Sequence, residues 1–268
     1  MTDYIELSYF DVGIAAVFVL INAALSLALN LNIHRRMLVA AVRMVVQLAI
    51  MGLVLVALFK TVSPYLTALA MLGMALFAGR EIAARQVRPL AGWWSYGLGT
   101  ACITTASMLV TVFALTVSLK AHPWYDPRYA VPLLGMILGN GMTGIALGIH
   151  TLTTGLADRR SAVEAQLMLG ADRRTALSPV VRQALSSALM PIVNSMSATG
   201  IVSLPGMMTG QILGGVPPEG AVKYQILIMF LIAGATGMGA VAAVVGSAYR
   251  LTDGRHRLRL DRLAPARK

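Results

Sequence analysis

The sequence predicts an all-α protein: a polytopic transmembrane bundle of about seven helices, forming one membrane domain over residues 1–268. Three observations carry this. Of 268 residues, 57% are hydrophobic and 12% charged, about half the charged share of a soluble domain. The apolar residues gather in runs that meet the ~20 residues a helix needs to cross a bilayer. The basic residues collect between alternate runs instead of scattering through them.

The predicted spans are residues 9–33, 38–59, 64–79, 93–119, 129–155, 180–203 and 223–249. The first follows Asp3 and Glu6 and begins near Asp11 with no Lys or Arg before it. The positive region of a cleavable signal is missing, so an uncleaved membrane helix is expected. The second carries Arg43 and, one turn on, Gln47. Arg43 reads two ways: as a functional charge inside the membrane, or as a long side chain snorkelling to the headgroups. The third run is short and must be centred or tilted. The fourth follows Trp93 and Trp94 and holds the single cysteine, Cys102, which permits neither an intrachain disulfide nor a cysteine metal cluster. The turn Lys120–Pro132 brings Trp124, Tyr125 and Tyr129 to a membrane interface.

Span five pairs Gly135 with Gly139 and Gly144 with Gly148. Small residues at this spacing let helices approach closely in lipid, so the span is expected inside the bundle, with Asn140 facing protein and His150 at its end. In span six, Pro191 is expected to interrupt the helix and Pro205–Gly206 to end or kink it, with Asn194, Ser195 and Ser197 mid-span. Irregular backbone at membrane depth survives only where it is buried or lines a cavity, so this stretch is a candidate pathway wall. In span seven, Gly237-x-Gly239-x-x-Ala242 lies in an apolar run with no preceding strand, which favours helix packing over a dinucleotide fingerprint.

Net charge is +11, but its placement points to topology and not to nucleic acid. Arg35–Arg36, the Arg80–Arg88 group, the Arg159–Arg182 group and the tail from Arg250 to Lys268 fall on one side. Lys60, Lys120, Arg128 and Lys223 fall on the other. The excess marks the cytoplasmic side, placing the N-terminus outside and the C-terminus in the cytoplasm. The basic tail 250–268 also suits contact with anionic membrane lipid.

The segment 158–179 is the one long charged stretch in mid-chain. It predicts a surface helix capped by Ser161 or Asp158, split at Gly170, with an apolar side of Val163, Leu167, Leu169 and Leu177. Glu164 near its start and Arg173 and Arg174 toward its end suit the helix dipole. It reads either as a docking point for a partner or as a plain interfacial helix.

Of the carboxylates, only Asp11 touches a span, at its outer end, so the acidic relays of proton-coupled carriers are missing. The four histidines, His34, His122, His150 and His256, fall apart from one another, and no catalytic constellation emerges. Most of the sixteen methionines read as core filler. The alternative is a thioether path for a soft ion through Met196, Met207, Met208 and Met229. Asn140, Asn194, Gln211 and Gln225 offer oxygen to a harder ion. No P-loop is present: the closest stretch, Gly215–Gly220, lacks the Lys-Ser/Thr that meets phosphate and magnesium.

Glu164-Ala165 followed by Leu169-Gly170-Ala171 resembles the EAA-type coupling motif of ATP-binding-cassette (ABC) permeases. Val202-Ser203-Leu204-Pro205-Gly206-Met207-Met208-Thr209-Gly210 resembles a block of the FetB-type permease family, as do Lys223-Tyr224-Gln225-Ile226, Gly135–Asn140, and Arg43 with Gln47-Leu48. These run in order from span two to span seven. The resemblance implies a non-enzymatic permease subunit that pairs with a second copy of itself and works with a separate ATPase. It implies ATPase coupling through Glu164, Ala165, Gly170, Ala171 and Arg173, and metal-ion export, iron first. The chain itself is expected to bind no cofactor, with ATP and Mg on the partner. Its expected location is the inner (plasma) membrane, as a multi-pass protein. The alternatives are an ABC permease for a small organic substrate and an ATP-independent channel or carrier.

Overall fold

The computed structural model describes residues 8–266. Asp3 and Glu6, and Arg267 and Lys268 of the tail, lie outside the described residues. Seven helices are long and apolar enough to cross a membrane: α1 (Tyr9–Ala28), α2 (His34–Thr61), α3 (Pro64–Ala84), α4 (Trp94–Phe113, prolonged by a π turn at Ala114–Ser118), α5 (Pro127–Asp158), α7 (Arg173–Ala198) and α9 (Pro218–Arg250). Two short helices, α6 (Arg160–Met168) and α8 (Gly206–Leu213), lie between them.

The chain falls into two compact units, Met1–Val62 with Leu213–Gly215, and Ser63–Ile212 with Val216–Lys268. In the first, α1 and α2 form a hairpin. A capping box opens α1, with Asp11 accepting from the Ser8 backbone N–H and the Ser8 hydroxyl accepting from the Asp11 N–H. Asp11 therefore sits in the first turn, as expected. The link turns through left-handed Asn30 and Asn32, and the Ile33 N–H donates to the buried Ser26 hydroxyl.

In the second unit α5 is the central helix, packing most extensively on α9 and α7 and also on α3 and α4. Glycine makes this possible at chosen points. A Cβ on Gly144 would lie 2.9 Å from the Ala188 carbonyl oxygen, and one on Gly148 would lie 3.0 Å from the Ala188 Cβ. The expected close approach of span five is thus realised by the Gly144/Gly148 pair, against α7. Gly139 has open space beside it. Thr100 of α4 likewise leaves no room for a Cβ at Gly79 of α3. Gln86, just past α3, pins it to α5: its amide nitrogen donates to the Ile82 and Ala146 carbonyls at 3.1 and 3.0 Å. One apolar core joins α3, α4, α5 and α9 through Ile82, Ile103, Leu134, Ile145 and Ile232. A second, at one end, joins Leu152, Leu156, Leu177, Val244 and Leu251.

Several boundaries differ from expectation. Span three extends to Ala84, because Arg80 and Glu81 end the apolar run but not the helix. Pro191 does not interrupt α7, which contains both Pro179 and Pro191 and runs on to Ala198. The break comes at residues 199–205, where Gly200 is left-handed, and Pro205–Gly206 opens α8. The described part of the basic tail, residues 250–266, folds back on the bundle.

Candidate functional site

The segment 158–179 is scarcely a loop. Helix α5 runs to Asp158 and α6 restarts from Arg159, which makes no side-chain capping bond; neither Ser161 nor Asp158 serves as cap. Val163 of α6 is buried in the second core and Leu167 packs half-buried against it; fully burying a side chain such as that of Val163 stabilises by about 1.5–3 kcal/mol. On the exposed side the Arg160 Nε donates to the Glu164 Oε1 at 2.9 Å. Ala165 is exposed and Ala171 half-buried.

Gly170 ends the helix in the left-handed region, at φ +91°, where a side chain is strained. Beyond it the chain forms no second small helix and enters α7 directly. Asp172 caps α7, accepting from the Thr175 N–H at 3.0 Å, and Thr175 holds that carboxyl below its ordinary range. The turn projects Met168 (82% exposed) and Leu169 (88% exposed) outward. Leu169 was expected to share one apolar side with Val163, Leu167 and Leu177; it instead forms the exposed tip.

The tail braces this end. The Arg173 N–H donates to the His256 Nδ1 at 3.1 Å. The Arg173 guanidinium lies 4.5 Å over the Tyr249 ring, and the Arg174 Nη2 donates to the Tyr249 hydroxyl at 3.2 Å. Leu258, Leu260 and Leu263 pack on the second core. The Ala91 and Ala264 N–H groups donate to the Arg262 and Pro89 carbonyls. Asp253 accepts from the Arg257 backbone and side chain and the Arg255 N–H, which keep its carboxyl low. Arg259 grips Asp261 with two bonds of 2.8 Å and pulls it to about 2. No pattern in the sequence announced this strap, since its leucines are spaced by arginines and its charge read as a topology signal suited to anionic lipid.

Two concavities flank α7 at this end. One, of about 420 Å³, lies between α7 and α9. The other, of about 800 Å³, lies between the α6 turn and α7, lined by Gln166, Leu169, Ala171, Thr175 and Pro179. Arg174, Ser178 and Arg182 belong to both.

The pathway candidates are not gathered in either concavity. Asn140 is exposed on α5, its amide donating to the Met136 carbonyl; it faces out of the chain, not into the bundle. Asn194 and Met196 are exposed on α7, and Met207, Met208 and Gln211 are half-buried on α8. Gln225 of α9 is 6% exposed, and its amide oxygen has no hydrogen-bond partner. Met229 is core. Arg43 and Gln47 are exposed on α2, in the other unit. Among the described residues no group of three or more His, Cys, Asp or Glu is placed to hold a metal.

Comparison with known proteins adds the family. The model described as "Uncharacterised protein family (UPF0014)" matches residues 9–252. The chain is 35% identical over 259 residues to "UPF0014 membrane protein slr1647" of Synechocystis, covering 94% of this chain and 96% of that protein. It is 33% identical to "Protein ALUMINUM SENSITIVE 3" of Arabidopsis thaliana, covering 85% and 82%. It is 27% identical to "Probable iron export permease protein FetB" of Escherichia coli, covering 94% and 95%. No solved structure matches it.

Proposed function

The chain belongs to the UPF0014 family of membrane proteins, and from that premise we propose that it is the permease subunit of an ABC transporter. Two copies form the pathway, and two separate ATPase subunits, which carry the ATP and Mg, supply the work. The observation that carries the reading is α6: a short surface helix set between two extensively packed spans, α5 and α7, with an apolar tip at Met168–Leu169. A groove on an ATPase that takes this tip pushes on both spans at once. The basic residues around α6 make this end the cytoplasmic one, in the inner membrane.

The substrate proposed is a metal ion, iron first, exported. Support comes from the relative named as an iron export permease, and the plant relative named for aluminium sensitivity favours a hard metal ion. Hard ions prefer oxygen ligands, so the ion or its chelate meets neutral donors such as Asn140, Asn194, Gln211 and Gln225. The thioethers are less suited.

Affinity purification of the tagged chain from native membranes tests the coupling. Wild type is expected to bring down an ABC ATPase in about equal amount, and Leu169→Asp to lose it while remaining folded. Glu164→Lys, which breaks only an exposed ion pair, is expected to weaken the association. Wild type without any ATPase would sink the assignment and move an ATP-independent channel or carrier to the front. Loss of the chain is expected to raise cellular iron under iron load; unchanged iron with a change in another ion reassigns the substrate.

A further inference from the structure

We propose that the groove between α7 and α9 binds an anionic phospholipid. Its phosphate sits against Arg174 and Arg182, and an acyl chain lies on Leu177, Val181 and Val245. Three features of the groove select this class of ligand.

The groove is amphiphilic. Its wall is mainly aliphatic, while Arg173, Arg174 and Arg182 lie along it with no carboxylate among the lining residues. The acids nearby are already engaged: Asp172 by Thr175, and Asp253 by Arg255 and Arg257. A small inorganic anion makes no use of the aliphatic wall, and a neutral lipid makes no use of the arginines.

The basic groups are also in register. Arg174, Ser178 and Arg182 stand at i, i+4 and i+8, about 6 Å apart along one stripe of α7. Arg174 and Arg173 are both held in place by Tyr249. Arg182 has no hydrogen-bond or ion-pair partner among the described residues. It stands where the apolar run of α7 begins, at residue 180. A guanidinium at the edge of hydrocarbon is costly unless an anion meets it, and phosphate suits its forked donors.

The depth agrees. On the neighbouring turn of α9, Arg250 lies 4.6 Å over the Trp94 ring, and Trp93 meets Tyr96 edge to face. Aromatic rings at a helix end mark headgroup level, and basic pockets between spans at that level take anionic headgroups.

The test uses the purified full-length chain, stripped of lipid in a nonionic detergent and followed by native mass spectrometry and thermal unfolding. The probes are phosphatidylglycerol, phosphatidylcholine and inorganic phosphate. Phosphatidylglycerol is expected to bind and to raise the unfolding temperature, and Arg182→Gln to weaken it about fivefold, the factor for one basic contact to an anionic lipid. Ala248→Leu, which narrows the groove and keeps every charge, is expected to weaken it too. Arg255→Gln, outside the groove, leaves it unchanged. Equal binding of phosphatidylglycerol and phosphatidylcholine, or an Arg182→Gln chain that keeps its preference, overturns the proposal. An unfolding shift with inorganic phosphate as large as with phosphatidylglycerol makes this a soluble-anion site and overturns it equally. The chain is measured without any ATPase, so the outcome is independent of the coupling reading.

Discussion

At the scale of single residues, most of the consequences come from where a side chain has no room and where a polar group has no water. Gly144 meets the Ala188 carbonyl at a distance that a Cβ cannot occupy without moving α7. Gly144→Val is expected to destabilise by about 1–3 kcal/mol, the usual cost of overpacking, read as a lower unfolding temperature in detergent. Gly139→Val, with open space beside it, is expected to leave the monomer's stability unchanged. Gln86→Leu removes the amide that ties α3 to the Ala146 carbonyl and is expected to cost about 1 kcal/mol, the net value of an ordinary hydrogen bond. The sequence marked the Gly144/Gly148 pair through its spacing. It did not mark Gln86, because one glutamine beside Arg85 and Arg88 reads as part of a charged loop.

At the scale of elements, the unit proposed to meet an ATPase is α6, its turn and the first turns of α7, braced by the tail. Asp172→Ala removes the side chain that accepts from the Thr175 N–H and caps α7, and is expected to lower the unfolding temperature in detergent. The tail's internal ion pairs, Arg257–Asp253 and Arg259–Asp261, make its folded shape sensitive to acid. Asp261 is held at about 2 by Arg259, below its ordinary 3.8. A carboxyl lowered in the folded state contributes stability above its unfolded value and loses it as pH falls through its folded value. The strap is therefore expected to hold at pH 4 and above and to loosen between about pH 4 and about pH 2. Amide hydrogen exchange over residues 253–263 checks this: protection unchanged across that window would contradict it. The predicted split at Gly170 is real, yet the second piece is the continuous start of a long span. A local pattern shows where a helix stops and not how far the next one runs.

At the scale of the whole molecule, α5 and α9 have 32 and 33 residues and span about 48–50 Å, more than the ~30 Å hydrocarbon core. The excess at one end brings Leu152, Leu156, Val244 and Leu251 together as a second core. That core anchors α6 and the tail leucines and couples the end of the bundle to the membrane-spanning part. Truncation after Thr252 removes Leu258, Leu260 and Leu263 from it. The expected result is a lower unfolding temperature and, if α6 docks an ATPase, a weaker co-purification than wild type. Equal stability of the truncated chain would show that the strap carries no load.

By itself the sequence determined the class of protein, the number of spans and the alternation of charge. Each of these rests on local quantities: the length of an apolar run, the sign of its flanks, the spacing of glycines. Only the tertiary structure decided that Leu169 points outward, that Asn140 leaves the bundle, that Pro191 sits in an unbroken helix and that the basic tail is strapped to α7 and the α3–α4 turn. Those outcomes depend on which surfaces meet. Pro191 keeps its helix where Ala188 and Ile192, on the adjoining turns, are buried in the bundle. A leucine-and-arginine tail packs when a second core stands open to receive its leucines.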